Sequence, residues 1–314
     1  MEVRGRPLHF GAQLRGQATT WAEYVAALQG VEELGYGSVW MFDHLLPYSG
    51  ADDRPCFETL TTLGAMATLT TNIRIGVLVN GVLYRDPAVL AKASAQVDEM
   101  SEGRLEFTLG AAWAVREFTA YGMDFPPLSE RYARLDEALE IVKLLWSQHR
   151  TTFQGRYYHL EAAPCEPKPV QAPYPPITIG GSGARTLRIA ARHANRLNFA
   201  GPPQKFSERA RKLQQFCDEI GRDFNDIELS AHPSLAVGHT QEEAEALARR
   251  ITSIEGVDLD DERDNWVLGD PAEAVRQLRR YLDVGVSHFV FGVGYPFDLG
   301  PLQLMQEEVF PALG

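Results

Sequence analysis

Gly35-Tyr36-Gly37-Ser38-Val39-Trp40-Met41-Phe42-Asp43-His44 is the stretch that decides the fold. Ser38 to Phe42 is a short apolar run, and it empties at once into Asp43 and His44. Two later runs repeat the design. Ile73 to Val79 ends at Asn80, and Leu105 to Leu109 ends at Gly110-Ala111-Ala112-Trp113. Near-continuous apolar runs are the mark of strands covered on both faces, as in parallel sheets. Helix signals separate the three, and the polar or glycine-rich groups all fall at C-terminal ends. That arrangement predicts an α/β fold, a (β/α)8 TIM barrel with its active site at the strand tips.

The rest of the chain extends the alternation. Leu8 to Leu14 reads as the first strand. Thr20-Trp21-Ala22-Glu23 is a capping box, in which threonine and glutamate satisfy each other's free backbone N–H groups. Tyr24, Leu28, Val31 and Leu34 line one helical face, and Gly35 stops the helix. A helix from about Phe57 to Leu69 precedes the third strand. Asp86-Pro87 caps the next helix, with Leu90, Val97 and Met100 on its buried side. After the fourth strand the rhythm pauses, and an insertion is expected at about 111–176. Residues 111–128 read as a loop over the barrel mouth, and Ser129 opens a long helix carrying Tyr132, Leu135, Leu139, Val142 and Trp146. Thr151 to Leu160 reads as a hairpin turning at Gln154-Gly155, followed by a proline-rich passage to Pro176. Strands at Ile177 to Gly180, Arg196 to Ala200, Ile227 to Val237 (broken by Pro233) and Val286 to Val293 complete about eight βα units. Helices are expected from Ala184 to His193, through Phe206 to Ile220, after Thr240 and Asp270, and from Leu302 to Phe310. No composition break divides residues 1–314, so one domain is expected.

Composition excludes several functions. A net charge of −12 lacks the basic face that nucleic acid requires. No run approaches the ~18 apolar residues of a membrane span, and the N-terminal residues have no apolar core of a signal peptide. Cys56, Cys165 and Cys217 show no metal-ligand spacing and read as reduced thiols, with no metal site expected. A cytoplasmic enzyme acting on a small-molecule substrate is the expectation, with a homodimer as its assembly.

His44 is the sharpest chemical candidate, with Asp43 beside it. An imidazole just past a buried strand can contact a ring or carry a proton near neutral pH; the plainer alternative is a pair that caps the next segment. Gly180-Gly181-Ser182-Gly183, a strand running through glycines into a helix, is built to hold an anion on bare N–H groups, although such turns are also ordinary βα connections. Gly110, Ala111, Ala112 and Trp113 would let backbone approach a planar ligand, with Trp113 as a wall or as lid packing. Asn80 is either a ligand contact or a strand-ending turn residue. Asp98, Ser101, Gly103 and Arg104 read as a lock at the barrel base, and His232 as a satisfied core histidine. Glu117 and Arg85 fit a substrate pocket or the scaffold equally.

Several of these segments resemble one family in wording as well as in pattern. Asp43-His44-Leu45 after a Gly-Tyr strand, Ile73-Arg74-Ile75-Gly76-Val77-Leu78-Val79, Tyr84-Arg85-Asp86-Pro87 and Val97-Asp98-Glu99-Met100-Ser101-Glu102-Gly103-Arg104 are similar to the luciferase-like flavin and deazaflavin oxidoreductases. So are Leu109 to Trp113, Arg156-Tyr157-Tyr158, Pro167-Lys168-Pro169 and Pro176 to Gly181. The resemblance implies hydride transfer with coenzyme F420, a deazaflavin, the Asp43-His44 wording lying nearer that branch than the FMN one. It implies an active-site histidine at His44, a non-prolyl cis peptide at Leu78–Val79 backing the ring, Asn80 at the pyrimidine edge, and cofactor phosphate at Gly180 to Gly183. Thr108 and Ala112 stand where the family more often has glycine, and Ala194-Asn195 where it often has Ala-Asp. An FMN-dependent monooxygenase using O2 and a non-catalytic flavin-binding barrel are the alternatives. A glycosidase or aldolase barrel would need paired carboxylates or a strand-borne lysine, and Lys168 sits between prolines.

Overall fold

The computed structural model describes residues 2–314. Eight parallel strands form its centre: β1 (His9–Leu14), β2 (Ser38–Met41), β3 (Arg74–Val77), β4 (Leu105–Leu109), β5 (Ile177–Gly180), β6 (Arg196–Phe199), β7 (Glu228–Ala231) and β8 (Val286–Val293). Each pairs with its neighbour in chain order, β8 pairs with β1 from His288↔His9 to Val293↔Leu14, and β7 pairs with β8 at Leu229↔Val286, so the barrel closes. Burial follows. Every residue of β2, β4, β6, β7 and β8 is buried, as two-sided cover requires.

Two of the first three helices begin where the sequence placed caps, and the other begins at Thr59 rather than at about Phe57. α1 (Trp21–Glu33) carries the complete Thr20/Glu23 capping box, α2 (Thr59–Leu69) is capped by Glu58, and α3 (Pro87–Met100) by the Asp86 carboxylate with proline in its first turn. α4 (Leu128–Ser147) is the long helix expected inside the insertion, but it belongs to the barrel's outer ring. It packs along α3, where Trp146 Nε1 donates to Ala91 O at 2.9 Å and its ring meets Phe107 at 4.9 Å. The true excursions are therefore shorter, on either side of it. The first is not all loop: Val115–Ala120 forms one short helix, six residues that no side chain caps. The second holds the hairpin Thr151–Gln154/His159–Ala163.

α5 (Ala184–His193), α6 (Pro203–Ile220), α7 (Gln241–Glu255) and α8 (Pro271–Asp283) complete the ring. Pro233 breaks the seventh strand as expected. Beyond it, Ser234–Val237 pairs with β8 at Ser234↔Gly292 and, on its other edge, with Trp266–Gly269, a strand the sequence reading did not contain. At the base, Arg104 ties carbonyls of Ala67, Thr70, Ile73 and Ser101, while Asp98 accepts from Gln171. Both residues lock structure, though not by pairing with each other.

Candidate active site

A cavity of about 630 Å³ opens at the C-terminal ends of the strands, within the size range of small-molecule and cofactor sites. Of the expected site residues, Asp43, His44, Leu78, Val79, Gly110, Ala111, Ala112, Trp113, Gly180, Gly181, Ser182 and Gly183 all line it. Asn80 does not. It is buried between β3 and β4, its amide nitrogen donates to Thr108 O at 3.1 Å and its backbone N–H to Thr108 Oγ1, so its Nδ2 is committed to the scaffold.

His44 has a partner that sequence spacing did not reveal. Its Nδ1 lies 2.5 Å from Glu117 Oε1, on the short helix of the mouth. Glu117 is almost wholly buried, and its Oε2 accepts from Leu45 N–H at 2.9 Å and from Tyr84 Oη at 2.7 Å. Burial works to raise the Glu117 carboxyl, but the hydrogen bonds from His44, Leu45 and Tyr84 outweigh it and hold the group below its usual range. An ionised Glu117 keeps the hydrogen of His44 on Nδ1 and leaves the lone pair on Nε2. Tyr84 is pushed upward by burial and by the Glu117 carboxylate, so it stays a donor.

Asp43 is the correction. Arg85 Nη1 donates to both its oxygens at 2.9 and 3.0 Å, and Gly81 N–H donates to Oδ2 at 2.8 Å. Its carboxylate holds the β3 tip against the β2 tip, a positioning role rather than the catalytic one expected of it beside His44. Arg85, left open between pocket and scaffold, is thereby scaffold. Glu117, left open in the same way, stands behind the histidine.

The floor is built for a flat group. The Leu78–Val79 peptide is cis. The Val79 side chain packs onto two glycines, since a Cβ at Gly110 would lie 2.8 Å from Val79 Cγ2 and one at Gly180 would lie 2.7 Å from Cγ1. Only bare backbone leaves that contact free. At the far end, Gly183 precedes α5 with no side-chain cap, so the first-turn N–H groups face the cavity unprotected. Tyr132 Oη lies 3.3 Å from Thr186 Oγ1 beside them. Arg131 lines the same wall, donating to Ala111 O at 3.4 Å and stacking on Phe125 at 4.2 Å. Gly181 itself contributes less than expected, because its N–H is bonded to Asn198 O at 2.9 Å. Tyr132, Thr186, Arg131 and Lys205 went unseen in the sequence; Tyr132 read there as a packing position on a helical face.

The model of the luciferase-like monooxygenases matches residues 7–257. The chain belongs to that family. Among relatives of this luciferase-like protein is the F420-dependent glucose-6-phosphate dehydrogenase of Amycolatopsis mediterranei (strain U-32), 29% identical over 315 residues that cover 90% of this chain and 91% of the relative. Among solved structures, an F420-dependent secondary alcohol dehydrogenase in complex with an F420–acetone adduct superposes with a TM-score of 0.86 at 21% identity, covering 98% of this chain and 99% of that one. The monooxygenase RslO1 from Streptomyces bottropensis gives 0.82 at 20% identity, with 98% and 100% covered. At such identities these structural likenesses speak for the fold, which the luciferase-like barrel described above shares.

Proposed function

We propose that this protein is an F420-dependent oxidoreductase that interconverts an alcohol and its carbonyl compound. The observation that carries the reading is the buried His44–Glu117 pair on the wall of a cavity whose opposite end is an uncapped helix N-terminus. The residues fit the cofactor: the glycine floor takes a planar ring, and the α5 terminus with Ser182, Thr186, Tyr132 and Arg131 takes a phosphate. When bound, the deazaflavin supplies a carbon that accepts or gives up hydride. His44 Nε2 accepts the hydroxyl proton of the alcohol, or returns it to the carbonyl oxygen in the reverse direction. Glu117 holds the imidazole in one tautomer and stabilises the imidazolium that forms, as the carboxylate does in acid–base triads. Asp43 and Arg85 keep the β2 and β3 tips in register. Relatives named for F420-dependent dehydrogenation support the choice of cofactor. The cytoplasm and a homodimer belong to the same reading.

Titration of the purified protein with coenzyme F420 and with FMN, followed by fluorescence, tests it. Tighter binding of F420 is expected. A clear preference for FMN would move the protein to the FMN-dependent monooxygenase reading. A His44–Glu117 pair poised for proton transfer weighs against a barrel that binds flavin without turnover.

A further inference from the structure

His232 was expected to be a satisfied core histidine, and it is not satisfied. It stands at the end of β7, where Pro233 turns the chain outward, and it lines the cavity. Its Nε2 is buried with no hydrogen-bond partner among the described residues. Burial, with Arg15 nearby, holds the ring down to about 3, so it is neutral through the physiological range. A buried polar atom left unpaired is costly, and in a cavity it is an unfilled contact for a ligand.

The surroundings of His232 say what that ligand is. A Cβ on Gly292 would lie 3.7 Å from His232 Nε2 and 3.6 Å from Arg15 Nη2, so both heads converge over the bare backbone of β8. Arg15 is paired with Glu255, and its guanidinium lies 5.3 Å from the Tyr48 ring centroid. Tyr48 in turn meets Trp113 at 5.8 Å and His44 at 6.1 Å, and Trp113 meets His44 at 5.5 Å. His232, Trp113 and His44 thus line one side of the cavity, and Arg15 and Tyr48 link them without lining it. This wall is aromatic and electrically balanced. The Arg15 cation is matched by Glu255, and His232 carries no charge. Arg131 and Lys205 are the cavity-lining cations; Arg131 sits against the loop Ala111-Ala112, and Lys205 Nζ donates to Ala200 O at 2.8 Å. A phosphate monoester on the substrate would want paired cations and charge-assisted hydrogen bonds; with Arg131 held at the Ala111-Ala112 loop, Lys205, which no carboxylate pairs among the described residues, is a single cation where such a group wants two.

We propose that this wall is the substrate subsite, that it takes an uncharged alcohol and its carbonyl product rather than a sugar phosphate, and that His232 Nε2 supplies the hydrogen bond that orients the substrate toward His44. The proposal rests on the F420 reading above. In the oxidative direction the carbinol C–H leaves as hydride to the oxidised cofactor and the O–H proton goes to His44, giving carbonyl compound and reduced cofactor; in the other direction each returns.

The test uses the F420-loaded enzyme with cyclohexanol and with glucose 6-phosphate, and calorimetric titration of the loaded protein with cyclohexanone. Cyclohexanol should be favoured in kcat/KM by about tenfold or more. His232→Leu should raise KM for cyclohexanol and Kd for cyclohexanone by about 3- to 10-fold, the size of one lost hydrogen bond, with F420 affinity within about twofold. His232→Gln, which keeps a polar group at the reach of Nε2, should restore both. Gly292→Ala adds a methyl at ordinary contact distance and should weaken cyclohexanone binding without unfolding the barrel. A higher kcat/KM for glucose 6-phosphate, or a His232→Leu enzyme with unchanged KM and a lower Tm, overturns the proposal while leaving the cofactor reading intact. Failure of F420 to bind in the fluorescence titration removes both, and that result is distinct from the substrate outcomes.

Discussion

A histidine is a poor proton acceptor until something settles which ring nitrogen carries the hydrogen. His44 was legible because Asp43-His44 follows an apolar run without a gap, and a strand tip in this barrel faces the mouth. Its partner was not, because Glu117 lies 73 residues away and reaches the ring only once the first excursion folds back over the mouth. Two substitutions separate their roles. His44→Ala should lower turnover by roughly 10²–10⁴-fold, the usual size of a lost acid–base group, with little change in F420 affinity or Tm. Glu117→Gln keeps the shape but removes the charge behind the imidazole, and it can present an amide N–H to Nδ1 and reverse the tautomer. A comparable loss in kcat, on the order of 10²-fold or more, is expected by analogy with neutralised triad carboxylates, with cofactor affinity unchanged. Measuring kcat, F420 affinity and Tm on both variants decides the matter. If Glu117→Gln turned over normally, the carboxylate would be a scaffold residue and no more.

Among the elements, the strands and capped helices were readable because each is specified locally, by an apolar run, a capping carboxylate or a stopping glycine. Val115–Ala120 was not, having neither the length for a periodic pattern nor a capping side chain. Trp266–Gly269 was missed for another reason: four residues carry little periodicity, and its place beside Ser234–Val237 is a tertiary fact. The N-terminus of α5 is the element with the most direct test. Ser182→Asp sets a carboxylate beside uncapped N–H groups, and two opposite effects follow. The charge should favour the helix by about 0.3–1 kcal/mol, so Tm should hold or rise slightly. The same charge should repel a bound phosphate and weaken F420 binding by about 10- to 100-fold, as expected for lost charge-assisted contacts. Thermal melting and cofactor titration on one sample read both. Unchanged F420 affinity would mean that the phosphate lies elsewhere.

At the scale of the whole molecule, the barrel interior below the cavity is ionic, which no run of apolar strand residues announced. Arg196 donates to Glu228 at 2.7 Å and to Glu106 at 2.8 Å, Arg74 joins at Glu106, and Ser287 donates to Glu228 at 2.8 Å. These groups come from β3, β4, β6, β7 and β8, so only closure of the barrel assembles them. Replacing Arg196 with Met leaves two buried carboxylates short of a cation and should cost about 3–5 kcal/mol, visible as a large drop in Tm. Above that layer, His288 accepts or donates at Ser230 Oγ, 2.8 Å away, and burial first, then Arg196, holds its ring well below the ordinary histidine range. His232 is depressed for the same first reason, to about 3. The pH dependence has a definite sign. Both rings are neutral when folded, but once unfolded they take up a proton below about 6.5. The unfolded chain therefore binds more protons as pH falls through that value, and stability drops. Above about 6.5 these rings contribute nothing to the slope. Below it each contributes a loss of up to roughly 1.4 kcal/mol per pH unit, continuing for His232 toward its folded value near 3. Tm measured from pH 7.5 to 5 should be flat at the upper end and fall at the lower. His232→Gln should make the fall shallower without moving the point where it starts, because His288 remains. A variant whose profile overlays the parent from pH 6.5 to 5 would show that His232 is protonated alike in both states, and that its ring is not held neutral by the fold.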